Sequence, residues 1–171
     1  MITRVAGTGT AGNSGDDGPA TDAQLNGISG VAVTADGGFL ISDFVSGVVR
    51  KVSSTGVITR VAGTGKGGNS GDDGPAIDAE LSLQSGVAVT ADGGFLIADT
   101  GNHVVRKVSS TGLITRVAGT GTAGNSGDDG PATDAQLNGP SWVAVTADGG
   151  FLIADSGNHV VRKVSNTLPP T

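Results

Sequence analysis

The stretch VRKVSSTGVITRVAGTG, Val49 to Gly65, returns as VRKVSSTGLITRVAGTG at Val105 to Gly121. In each copy two short runs rich in β-branched residues flank an SSTG turn, which is the pattern of two antiparallel strands joined tightly. Only half of it occurs at each extreme of the sequence. ITRVAG, Ile2 to Gly7, has no strand candidate before it, and VVRKVS, Val160 to Ser165, is followed by NTLPPT. The motif therefore spans the boundary between successive copies of a repeat.

Working outward, Ile2, Ile58 and Ile114 begin three units, residues 2–57, 58–113 and 114–165, with 166–171 as a tail. Residues 2–53 and 114–165 match at 45 of 52 positions, which implies natural amplification or deliberate design. Each unit holds four strand candidates; in the second they are Gly86 to Thr90, Gly94 to Asp99, Val104 to Ser109 and Leu113 to Gly119. ADGG joins the first pair and SSTG the second, so the strands run as an antiparallel meander. The first two strands are apolar on both faces, as in VAV and FLI, and predict a sheet sandwiched between neighbours. Arg50, Lys51 and Arg60 assign the third and fourth strands to an outer, half-exposed position. Repeated four-stranded sheets with a covered inner and a wetter outer edge are the blades of a β-propeller, an all-β fold.

GVAVTADGGFLIADTGNHVVRKVSSTG, Gly86 to Gly112, resembles an NHL repeat, and VAGTGTAGNSGDDGPATDAQLNGP, Val117 to Pro140, resembles the long inter-blade connection of bacterial NHL-type propellers. The resemblance implies a β-propeller, commonly six-bladed and used mostly as a binding platform. Phe44 to Gly47 departs from the TGNH turn of the family pattern. On this reading residues 1–171 form a single three-blade half-propeller.

Three blades do not close a ring: each would have to cover about 120° rather than about 60°, leaving gaps where blade faces must pack. Pro169 and Pro170 cannot donate to a ladder, so no fourth strand is expected after Ser165. The spare copy of that strand is Ile2 to Gly7. The expectation is a two-fold homodimer of six blades in which each N-terminal strand completes the other chain's last blade, with Ile2, Thr3, Arg4, Val5, Val160, Val161, Arg162, Lys163 and Val164 at the seam. A nine-bladed trimer, or a fragment of a longer protein, are the alternatives.

A formal charge of -6 argues against a broad phosphate-binding surface, so no nucleic-acid partner is expected. No stretch has the length of a membrane span, and residues 1–20 carry no signal-peptide core, so no membrane partner is expected and the compartment stays open. With no cysteine, one Trp and four Phe, the core must be built from Val, Ala, Ile and Leu.

The long connections and the DTGNH-type turns share one face of the meander, which makes that face acidic and the natural ligand side. Its candidates are Asp16, Asp17, Asp43, Asp72, Asp73, Asp99, His103, Asp128, Asp129, Trp142, Asp155 and His159, and the ligand sought is a protein or small molecule. GNSGDDGP lacks the EF-hand spacing of calcium loops, so Asp16 and Asp17 are expected to bond backbone amides of their turn. Asp43, Asp99 and Asp155 are expected to cap the following turn. GPATDAQL, Gly18 to Leu25, reads as a short helix with a leucine plugging the gap between blades. His103 and His159 read as turn histidines, without the partners a general base needs. Trp142 stands where the other units have Gly30 and Gly86, as either an exposed anchor or a buried filler. No cofactor, metal or catalytic residue is assigned: the function expected is a non-catalytic, self-assembling binding scaffold. The competing reading is a metal-dependent propeller hydrolase or lyase. It would need carboxylates or histidines at the ends of the innermost strands, which read VAVT in every unit.

Overall fold

The computed structural model describes residues 1–166, so the expectation for Pro169 and Pro170 lies outside the described residues. The chain forms three antiparallel sheets. The first contains β1 (Gly18–Pro19), β2 (Ile28–Val33), β3 (Phe39–Asp43), β4 (Val48–Val52) and β5 (Val57–Ala62), in the order β1-β5-β4-β3-β2. The second repeats it with β6 (Gly74–Pro75), β7 (Val87–Val89), β8 (Phe95–Asp99), β9 (Val104–Val108) and β10 (Leu113–Ala118). Among the described residues the third has β11 (Pro140–Val145), β12 (Phe151–Asp155) and β13 (Val160–Val164).

The expectation of four strands in each of the first two sheets is corrected to five, while the last has three among the described residues, in line with the strand expected to be missing after Ser165. The extra strand comes from the long connection, whose Gly18 and Pro19 pair with Ile58 and Val57 on the outer edge. A proline suits that place because its missing N–H points away from the ladder. The connection thus covers an edge that would otherwise offer unpaired groups to another chain. The short helix expected from GPATDAQL is a 3-10 turn, Ala20–Asp22, entered from Pro19.

The ADGG hairpins are closed by their aspartates. Asp36 Oδ1 accepts from Thr34 Oγ1 at 2.5 Å and from the Gly38 amide at 3.2 Å, and its other oxygen meets Lys51 Nζ at 2.6 Å. Those hydrogen bonds, led by the one from Lys51 and then Thr34, hold the Asp36 carboxyl well below the usual carboxylate range; Asp92 is held low in the same way. Asp148 is lowered to about 2 by Thr146 first and then Lys163.

The core lies between sheets. Leu40, Val49 and Ala62 of the first sheet meet Val87, Phe95, Ile97, Val108 and Ile114 of the second, with Leu81 of the connection buried between them. Leu137 fills the same place between the second and third sheets. The leucine of the connection thus plugs the gap, as its sequence position suggested.

Candidate functional site

The outer, half-exposed position expected for Arg50 is corrected: Arg50 and Arg106 are fully buried. Strand alternation points this side chain under the long connection, where Arg50 Nε donates to Asp16 Oδ1 at 2.9 Å, NH1 to the Gln24 carbonyl at 2.6 Å and NH2 to the Ser14 carbonyl at 3.1 Å. Arg106 holds Asp72, Glu80 O and Ser70 O in the same way, and Arg162 holds Asp128, Gln136 O and Ser126 O. Asp16, Asp72 and Asp128 are therefore tied to a guanidinium rather than to the amides of their own turn. Their neighbours Asp17, Asp73 and Asp129 are exposed and sit in left-handed backbone, with φ of 66°, 64° and 66°. Arg60 is only half-buried and bonds the carbonyls of Gly63 and Ile77.

Asp43, Asp99 and Asp155 are fully buried, so these three ligand candidates face protein atoms. Asp43 accepts from the amides of Asn26 and Ser46, the second being the expected turn cap. Asp99 accepts from the Ser82 amide at 2.8 Å, Asn102 Nδ2 at 2.9 Å and Arg106 NH1 at 3.4 Å. Burial pushes the Asp99 carboxyl up against the opposing pull of these partners.

His103 and His159 occupy left-handed backbone, φ 57° and 59°, where the first unit has Gly47 at φ 65°. His103 Nδ1 accepts the Gly139 amide of the following unit at 3.0 Å, whereas His159 is exposed. Among the described residues no three His, Asp or Glu side chains converge as metal ligands.

Trp142 is 43 % exposed, between the two readings its sequence position left open. Its sheet neighbours explain where the ring lies. The first strands β2, β7 and β11 pack next to one another, and the indole lies against Gly86 and Gly30 of the other two. A Cβ on Gly86 would come within 2.8 Å of Trp142 Cα, so the tryptophan and the two glycines fit as a set.

Among the described residues the third sheet ends at β13, with no strand on its outer side. A groove of about 850 Å³ follows that edge, lined by Val160, Val161, Arg162, Val164 and, across it, Ala132 and Leu137. Val161 is 70 % exposed; its counterparts Val49 and Val105 are fully covered. At the other side of the molecule Ile2 is 98 % exposed, while Ile58 and Ile114 are fully covered. Met1 to Val5 form no strand, but Ala6 packs against the first sheet and the Gly7 and Thr8 amides bond Ala20 O and Ala23 O at 2.8 and 2.9 Å. The same two bonds hold Gly63 and Thr64 to the second unit. Ile2 to Ala6 thus occupies the place of the outer strand of a sheet preceding the first. On β2, at the opposite end of the first sheet's strand order from β1, Ile28, Val31 and Val33 are all exposed.

Solved structures show the same arrangement of radial sheets. A structural genomics protein from Bacteroides thetaiotaomicron superposes with a TM-score of 0.67 at 27% identity, covering 76% of this chain and 32% of its own. An auxiliary nutrient binding protein from Bacteroides ovatus gives 0.66 at 22% identity, covering 84% and 38%. Both are β-propellers. The fold of this chain is that of a β-propeller. Its three sheets stand with β2, β7 and β11 side by side, and Trp142 of β11 lies against Gly30 and Gly86 of the other two.

Teneurin-4 from Homo sapiens is 37% identical over 107 residues, 55% of this chain and 4% of the teneurin. The likeness supports an NHL-like propeller fold. The chain spans a small fraction of that relative and about a third of each solved propeller. No family model matches it. Sequence reasoning missed the Arg50, Arg106 and Arg162 anchors and the exposed face of the first blade. The first had a signal, an arginine 34 residues after an aspartate in every unit.

Proposed function

We propose that this chain is half of a propeller ring that closes with a second copy of itself, and that the ring serves as a non-catalytic binding scaffold. The observation that carries the reading is the open edge of β13 together with an Ile2 to Ala6 segment already aligned as an outer strand. Each copy lends that segment to the other's third blade. Ile2, Thr3, Arg4 and Val5 then pair along Val160, Val161, Arg162, Lys163 and Val164, as Ile58 to Ala62 pairs along Val49 to Val52 within one chain.

The energetics favour closure. Each joint covers Ile2, Val5, Val31, Val33 and Val161, at about 1.5–3 kcal/mol for an aliphatic side chain taken fully out of water. Two joints form for a single loss of translational and rotational freedom, which costs about 4–15 kcal/mol. The ligand side proposed is the side of the innermost strands where Trp142 is 43 % exposed; Asp17 and Asp73 are exposed instead at the outer edge, their amides bonded to the Ile58 and Ile114 carbonyls. A structurally similar propeller carries the name of a nutrient binding protein, which supports binding as the role of this face. The innermost strands bring no carboxylate or imidazole to the channel, which supports a role without catalysis.

Native mass spectrometry across a dilution series tests the reading. The expected species is twice the 16.5 kDa chain, persisting on dilution and converted to monomer by deletion of Met1 to Gly7. A folded monomer at every concentration would overturn closure. A stoichiometric metal ion retained by the ring would favour a metal-dependent hydrolase or lyase instead.

A further inference from the structure

The junctions between blades are of two kinds, and the difference identifies what docks on the third blade. At the junction of the first and second blades, Gln84 is the wedge. Its Nε2 donates to the carbonyls of Asp43 and Val48, both at 3.0 Å, while Ser29 and Ser42 donate to its backbone carbonyl. Gly47, in the histidine position, offers no side chain, and the position of Gly139 is taken in the second unit by Leu83.

At the junction of the second and third blades the chemistry changes. Thr100 Oγ1 donates to the Pro140 carbonyl at 2.7 Å, and His103 Nδ1 accepts from the Gly139 amide at 3.0 Å. A histidine on the leading blade is thus matched by an Asn-Gly pair, Asn138-Gly139, on the following one. Where the histidine is replaced by Gly47, the pair is replaced by Ser82-Leu83.

The outward side of the third blade carries the second kind of chemistry, with a Ser156 hydroxyl in place of Thr100 and with His159. The backbone of His159, φ 59° and ψ 36°, reproduces that of His103 at 57° and 38°. The Asn-Gly pair that would answer it is found once more, as the half-buried Asn26-Gly27 of the first blade, where Gly27 packs beside Phe44 and Val45. Gly27 takes φ 78°, in the left-handed region of Gly139, and among the described residues no acceptor meets its N–H.

We infer that the first blade of a second copy docks on the third blade through a histidine latch: His159 Nδ1 accepts the Gly27 amide of the other copy, and the Ser156 hydroxyl donates to its Ile28 carbonyl. The inference rests on the closed dimer proposed above and names what selects its joint. Strand exchange alone would accept any outer strand of this repeat. The latch requires the following blade to present Asn-Gly, which the second blade does not. The partner's Gly27 and Ile28 thus complete a site that a single chain holds only half of, and the order of blades around the ring is fixed as first, second, third, first, second, third.

The test uses the full chain and the one feature a merely steric joint would not show, an N–H···N hydrogen bond between copies. In dimers mixed from differently labelled chains, nuclear magnetic resonance should detect a through-bond nitrogen–nitrogen coupling between the Gly27 amide of one copy and the His159 imidazole of the other. The Gly139–His103 coupling within one chain serves as the internal standard. His159→Gly keeps the left-handed backbone, as Gly47 does, and is expected to raise the dimer dissociation constant about a hundredfold, about tenfold for the hydrogen bond lost at each of the two joints. His103→Gly should leave that constant unchanged. A dimer that shows only the Gly139–His103 coupling, with His159→Gly no weaker than the parent, overturns the latch and leaves the closed ring standing. A parent chain that stays monomeric overturns both.

Discussion

Arg106 shows how single residues hold this propeller together. A guanidinium removed from water costs several kcal/mol, offset here because it donates to Asp72 at 3.0 Å, the Glu80 carbonyl at 2.6 Å and the Ser70 carbonyl at 3.0 Å. Removing it strands two carbonyls and leaves the fully buried Asp99 short of a cation. Arg106→Met is expected to cost about 3–5 kcal/mol in urea unfolding, the range for breaking one side of a buried charged network. Arg106→Lys should recover little, since an ammonium cannot reach three acceptors in one plane. The aspartates divide by environment. Asp99, raised by burial, is expected to protonate first as pH falls, while Asp36, Asp92 and Asp148 stay ionised longest. For Asp99 the folded state holds the proton more tightly than the unfolded chain. Its stabilising effect is fully present below the unfolded value of about 3.9 and is lost as pH rises through the raised folded value. For the three turn aspartates the sign reverses: their stabilisation is present above the unfolded value and is lost as pH falls through the lowered ones. Carboxyl carbon shifts in an acid titration give the order directly, and Asp36 protonating before Asp99 would contradict it.

At the scale of the element, the strands differ in how their edges are closed. β5 and β10 are covered by β1 and β6, two-residue strands cut from the connection. Among the described residues β13 has no such cover, and Val160 and Val161 lie open where Val48 and Val49 are buried. Amide exchange should therefore separate three strands of nearly one sequence. β4 and β9 are expected to be protected at any concentration, and the β13 amides that point away from β12 only at concentrations where the second copy is bound. Equal protection of those amides at high dilution would mean that something within the chain covers the edge. The same element logic explains the histidine turns: a left-handed position accepts Gly47, His103 or His159, and the His103 imidazole reaches to the next unit.

At the scale of the whole molecule, the three blades are close copies, yet their junctions are not. The Gln84 wedge, the His103–Gly139 pair and the exposed His159 give the blades an order that near-identical strands lack. The two unmatched faces, Leu152 and Val161 on the third blade and Val31 and Val33 on the first, correspond to pairs buried together at the internal junctions. Closure by a second copy accounts for both at once, and the mass and deletion experiments are decided at this scale.

Much of this was legible without coordinates. A period of 56 residues, the ADGG and SSTG turns and the VAV and FLI runs determine short antiparallel strands in repeated sheets, because turn chemistry and hydrophobic alternation are local properties. The leucine plug was legible for the same reason, from its fixed place after the 3-10 turn. What only the tertiary structure decided was where polar side chains end. Arg50 looks like a solvated strand residue until the connection folds over it, and Asp43 like a surface ligand until Asn26 and Ser46 enclose it. Nor could the local sequence show that the imidazole of His103 meets Gly139, 36 residues on, because that contact exists only once two blades stand side by side.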